Sequence, residues 1–126
     1  MSEIRRLKNL LLRLLDLVHF PERKVPHTID GMIEKAFNEK RLLELVYDGY
    51  RRIVEIHVYG MKNKRDGMIT YQIRGQSSSG VLGWKRMHLK KMTNMRVLRE
   101  KFPGQRNVVG RHSKWDKIFR IVSKKD

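Results

Sequence analysis

Cysteine is absent from the 126 residues, which excludes disulfide bridges and Cys-ligated zinc and fits a reducing cytoplasm. Long apolar runs are absent too. Leu10-Leu11-Leu12 is stopped by Arg13, far short of the roughly 20 residues a membrane-spanning helix needs, so no membrane role is expected. The N-terminus has no secretory pattern, because charges interrupt it every few residues and no small-residue cleavage site follows. There is no Gly-rich phosphate loop, no pair of zinc ligands at helical spacing and no nucleophile elbow. His57 and His88 with Glu55 are the one combination that offers acid–base or metal chemistry. Five scattered histidines in a basic chain fit phosphate contacts better. The expectation is a protein that is not an enzyme and needs no cofactor or metal.

Acidic side chains are the most informative scarcity. Only 13 Asp and Glu stand against 29 Lys and Arg, for a net charge of +16. The imbalance is also uneven. Residues 1–63 carry 12 basic and 9 acidic side chains, net +3, whereas residues 64–126 carry 17 and 4, net +13. Cations placed for solubility alone would spread more evenly, so the second half points to a polyanionic partner. Nucleic acid comes first, ahead of an anionic membrane surface. A hydrophobic content of 40% is enough for one domain with a modest core.

Residues 3–18 have helical periodicity, with Ile4, Leu7, Leu11, Leu14 and Val18 in one stripe that Leu10 and Leu15 widen. Ser2 suits the N-cap. Such a helix either packs on its own domain or serves as a dimer or partner helix. The segment from His19 to His27 holds two prolines that deny helix continuation. Thr28 or Asp30 then caps a second helix reaching about Glu39, with Ile29, Met32, Ile33, Ala36 and Phe37 as its apolar face. Beyond Lys40 the period changes to two. Leu43, Leu45 and Tyr47 share a face, and Asp48-Gly49 is a strong hairpin signal. A second strand follows around Val54, Ile56 and Val58, then a polar, basic loop from Gly60 to Gly67. A third strand over Met68–Arg74 turns Ile69, Tyr71 and Ile73 inward. The fourth, after the turn from Gly75 to Gly80, sets Met87 and Leu89 against Trp84, Arg86, His88 and Lys90. The fifth runs over Met95–Arg99.

Five short, closely spaced strands after a helix predict an α+β chain with a small Sm/SH3-like five-stranded β-barrel preceded by helices. The expected organisation is an N-terminal amphipathic helix at 1–20, a linker at 21–27 and the barrel domain at 28–103. A basic tail at 104–126 follows, with a short helix from Ser113 to about Phe119 and Ile121-Val122 available as an edge strand.

The order of these pieces resembles the WYL domain of bacterial and phage regulators over roughly residues 29–102. The matching pieces are Ile33-Glu-Lys-Ala-Phe37, Leu42 to Tyr47, Gly49-Tyr50-Arg51-Arg52, Val54-Glu55 and His57-x-Tyr59-Gly60. Trp84 to Met92 and Val97-Leu98 complete them. At the triplet that names the family this chain has Thr70-Tyr71-Gln72. Ile56 stands where proline is usual, and His88 where arginine is common. The chain looks closest to small stand-alone members without a winged helix-turn-helix domain. The resemblance implies an Sm-like barrel of a ligand-sensing group, several members of which bind single-stranded nucleic acid.

Two constellations carry the functional expectation. One is a basic-aromatic face of Arg74, Trp84, Arg86, His88 and Lys90, extended by Arg51, Arg52 and Tyr59. Cations would follow the phosphates and the indole would stack a base, a contact worth about 1–3 kcal/mol. Trp84 as a core anchor is the competing reading, and Glu55 fits an ion pair with Arg52. The other is the tail, in which Arg106, Arg111 and Lys114 would add phosphate contacts without precise geometry. The sequence thus predicts a protein that binds single-stranded DNA or RNA with little sequence readout. The N-terminal helix would serve a homodimer or a protein partner. A regulatory module for a small anionic ligand or a protein is the alternative.

Overall fold

The computed structural model describes residues 28–106 and 114–125. The N-terminal helix, the linker and Arg111 lie outside them. The described chain is an α+β unit of one helix and a bent antiparallel sheet.

Helix α1 (Ile29–Glu39) starts where Thr28 caps it, the hydroxyl accepting a hydrogen bond from the Gly31 N–H at 3.0 Å. It ends at Lys40, whose left-handed backbone (φ 52°) lets its N–H reach the carbonyls of Ala36 and Phe37. Ile33, Ala36 and Phe37 are buried against the sheet, while Ile29, expected on that face, is exposed.

Strand β1 (Arg41–Tyr47) pairs with β2 (Tyr50–Lys62) through a two-residue turn in which Asp48 and Gly49 have φ of 51° and 80°. This primed turn is the one the Asp-Gly pair favours. Strand β2 also pairs along its length with β3 (Arg65–Gly75), which pairs with β4 (Gly83–His88). A single 3₁₀ turn, Leu89–Lys91, joins β4 to β5 (Thr93–Lys101), and β5 returns to β1. The order β4-β3-β2-β1-β5 is not closed, because no ladder joins β4 to β5 among the described residues.

Strand β2 explains the bend. Its first part, Tyr50–Val54, lies beside β1, and its last part, Val58–Met61, lies beside β6 (Lys117–Ile121). Register shifts at Ile53/Val54 and Ile56/Val58 make the turn between them. With elements on both faces, every residue from Arg52 to Val58 is buried. Leu43, Leu45, Val54, Ile56, Met68 and Met87 form the centre of the core.

Four expectations change. Residues 117–121 form strand β6 rather than part of a helix, because they complete the free edge of β2. The basic loop from Gly60 to Gly67 is two strand ends joined by Asn63-Lys64, both left-handed (φ 51° and 63°). The fourth strand stops at His88, where the 3₁₀ turn begins. In β3, Met68, Thr70 and Gln72 are fully buried beside Ile69, whereas Tyr71 and Ile73 are half-buried. Polar burial is tolerated there because Thr70 donates to the Lys85 carbonyl at 3.1 Å. Gln72 likewise donates to the carbonyls of Arg74 and Gln76 at 3.2 Å each.

Candidate nucleic-acid interface

The β2–β3 hairpin projects a tight turn with Lys62 and Arg65 as its closing pair and Lys64 at its tip. In the sheet, β4 runs beside β3 so that Arg86 lies opposite Ile69, and His88 opposite Gly67. The Tyr47 hydroxyl accepts from the His88 N–H at 3.1 Å and fixes the end of β4. The 3₁₀ turn then places Lys90 and Lys91, both exposed, beside the hairpin tip. Two adjoining clefts result. One, of about 490 Å³, is lined by Lys64, Arg65, Asp66, His88, Leu89, Lys90 and Lys91. The other, of about 480 Å³, is lined by Lys62, Asn63, Arg65, Arg86 and His88. Arg65 and His88 belong to both.

The floor beside these clefts depends on two glycines. Gly60 and Gly67 face each other across β2 and β3, and Trp115 lies over them. A Cβ on Gly60 would fall 2.7 Å from the indole and 2.6 Å from the Lys117 carbonyl. The Arg86 guanidinium stands 5.0 Å from the Trp115 ring, a cation–π geometry that holds it at the cleft edge. Asp116 is engaged with the hairpin, accepting from the Asn63 N–H at 2.7 Å. Asp66 accepts from the Tyr59 hydroxyl at 3.4 Å. Burial, and then the charge of Asp66, pushes the phenol above its ordinary range. Lys62, Lys64, Arg65, Lys90 and Lys91 have no carboxylate within ion-pairing distance among the described residues.

Of the expected site residues, Arg86, His88 and Lys90 are brought together here. The other described ones are elsewhere. Arg51 pairs with Glu44, and Arg74 makes a bidentate pair with Glu100 at 2.7 and 3.0 Å. Arg52 is buried, donating to the Tyr47 carbonyl at 3.1 Å, with the Tyr47 and Tyr50 rings 5.3 and 6.0 Å away. Lys114 is exposed next to Trp115. Trp84 lines neither cleft. Half-buried, it meets His57 and Tyr71 edge-on, with ring centres 5.0 and 5.2 Å apart.

Those rings surround a buried polar cluster. Glu55 is 4% exposed, and Arg106, not Arg52, is its ionic partner, donating to both carboxylate oxygens at 2.7 and 3.0 Å. The Arg106 guanidinium also lies 3.7 Å from the Tyr71 ring centre. His57 Nε2 donates to Glu55 at 2.9 Å, since a carboxylate can only accept, and its Nδ1 is buried without a hydrogen-bond partner. Burial pushes the Glu55 carboxyl upward, but the hydrogen bonds from His57 and Arg106 outweigh it and hold the group below its usual range. Glu55 is thus a locked structural anion. His88 is not part of this cluster, and no group of three or more His, Cys, Asp or Glu among the described residues is arranged to hold a metal ion.

Sequence reasoning missed Lys62, Lys64, Arg65, Lys91 and Trp115 as parts of one surface. A signal existed in the two glycines and Asn63-Lys64, which read equally well as a loop or as a flat-floored hairpin. Among the described residues, no helix is long and apolar enough to cross a membrane. Compared with known proteins, the chain matches no family model, no curated protein and no solved structure.

Proposed function

We propose that this protein binds a single strand of DNA or RNA through the basic clefts between the β2–β3 hairpin, the end of β4 and the 3₁₀ turn. The observation that carries this reading is a contrast. Arg51, Arg74 and Arg106 are paired with carboxylates, while Lys62, Lys64, Arg65, Lys90 and Lys91 line two adjoining clefts without an ion pair among the described residues, and Asp66 is the one carboxylate in those linings. Uncompensated cations held close together repel one another, and an approaching phosphate chain relieves that repulsion. Recognition is through the backbone, with little base readout.

The finer architectural reading is a partly open SH3/Sm-type barrel, of the kind WYL-like domains are described as having. Its support is a four-strand meander whose fifth strand returns to β1 after one 3₁₀ turn. The N-terminal leucine stripe would then serve self-association or a protein partner. A regulatory module for a small anionic ligand is the second reading, favoured by the size of the larger cleft, about 490 Å³, which lies in the range of small-molecule sites.

Fluorescence anisotropy with labelled single-stranded DNA, RNA and duplex probes decides between them. Single strands should bind in the micromolar range or tighter at about 50 mM salt. The log–log salt slope should be about −2.8 to −3.5, for four or five phosphates at roughly −0.7 each. Free probe at all protein concentrations, with thermal stabilisation by small polyanions, would favour the second reading.

A further inference from the structure

The cations of the interface fall into two adjoining clefts. An extended strand bound along its backbone needs cations spaced like its phosphates, one for each negative charge. Here Lys64, Arg65, Lys90 and Lys91, with His88, enclose one concave volume of about 490 Å³, and three separate elements supply them. Its acidic lining residue, Asp66, accepts from Tyr59 and keeps its charge, so four cations stand against one carboxylate there. Four cations lining one cleft are more than an internal phosphodiester requires, since that group carries a single charge and two free oxygens. A terminal phosphate monoester has three free oxygens and a charge of about −1.5 to −2.

The adjoining cleft extends the comparison. It shares Arg65 and His88 with the first, and continues toward Lys62, Asn63 and Arg86. Arg86 is steadied there over Trp115. A group seated in the first cleft therefore has a second compartment next to it, lined by Lys62, Arg65 and Arg86 with no carboxylate, the arrangement a strand end needs if the chain leads away on one side.

Resting on the nucleic-acid reading above, we infer that the larger cleft is an end-binding site, which takes the terminal phosphate monoester of a nucleic-acid strand. Lys64, Arg65, Lys90 and Lys91 meet the monoester, while Arg65, His88 and Arg86 hold the next phosphate. The chemistry is common to a 5′- and a 3′-phosphate, and the two ends are told apart by experiment.

The test is anisotropy competition among strands of one sequence bearing a 5′-phosphate, a 3′-phosphate or hydroxyls at both ends. An unphosphorylated strand two nucleotides longer matches the charge. One of the phosphorylated strands should bind at least about tenfold more tightly than the charge-matched control. The Lys90→Ala/Lys91→Ala variant alters two exposed side chains, and its circular dichroism should match the unmodified protein. It should lose that preference, while Arg74→Ala, whose side chain is paired with Glu100, keeps it. Equal binding of all four strands would overturn end recognition and leave nucleic-acid binding standing. A preference that survives in the double variant would remove the cleft as its origin. No binding of any strand would overturn both.

Discussion

Glu55 shows what a single residue does in this fold. Its carboxylate is nearly inaccessible, yet it is ionised because His57 and Arg106 donate to it from either side. Exchanging the carboxylate for an amide removes the charge and replaces one of two acceptor oxygens by an NH2 that faces donors, the costlier half of a buried pair. Arg106 is partly solvated, which moderates the effect. Glu55→Gln is expected to lower stability by about 1–3 kcal/mol, read as a lower urea midpoint with unchanged m-value. The pH dependence follows from the depressed carboxyl. Its stabilising contribution is complete above the ordinary value of 4.5 and is lost as pH falls through the lower folded value. Urea midpoints between neutral and acid pH should therefore fall more steeply for the unmodified protein than for Glu55→Gln. Equal slopes would assign acid sensitivity to other groups.

At the scale of elements, the two hairpins differ in how well their turns suit them. Asp48-Gly49 puts glycine in the second left-handed position, whereas Asn63-Lys64 puts lysine there at φ 63°. A left-handed non-glycine residue is strained by about 1–2 kcal/mol, and glycine gives back roughly 0.5–1 kcal/mol through its freer unfolded chain. Lys64→Gly should accordingly raise the melting temperature by a few degrees, since about 1 kcal/mol moves a domain of this size by several. It should weaken strand binding at the same time. A less stable Lys64→Gly would mean that the lysine stem contributes packing the turn needs. Opposed changes in stability and affinity are what a residue retained for binding shows. The same hairpin marks where local signals end. Gly60 and Gly67 punctuate the sequence like loop residues, and only Trp115, arriving with β6, explains their missing side chains.

For the whole molecule, the net charge of +16 overstates what faces a ligand. Many arginines are held by carboxylates remote in sequence, such as Arg74 by Glu100 and Arg106 by Glu55. Among the described cations without an ion pair, Lys62, Lys64, Arg65, Lys90 and Lys91 are the ones that line the two clefts. Arg65→Ala should weaken single-strand binding several-fold and make the salt slope about 0.7 shallower, the increment of one phosphate contact. Arg74→Ala should leave affinity and slope nearly unchanged. Equal losses in both variants would mean a diffuse field rather than a site.

The sequence by itself determined the class of the fold, helix α1 with a cap at Thr28 or Asp30, the Asp48-Gly49 hairpin and the basic second half. Each is written in adjacent residues through capping, turn chemistry, periodicity or composition. Tertiary structure decided the path of residues 117–121, the buried face of β3 and the standing of each cation. Arg106 lies 51 residues from Glu55, and Arg74 lies 26 from Glu100. No local pattern encodes those pairings, because ionic partners are chosen by distance after the strands have assembled, and the cations that assembly leaves unmatched at the hairpin tip are the ones available to a phosphate.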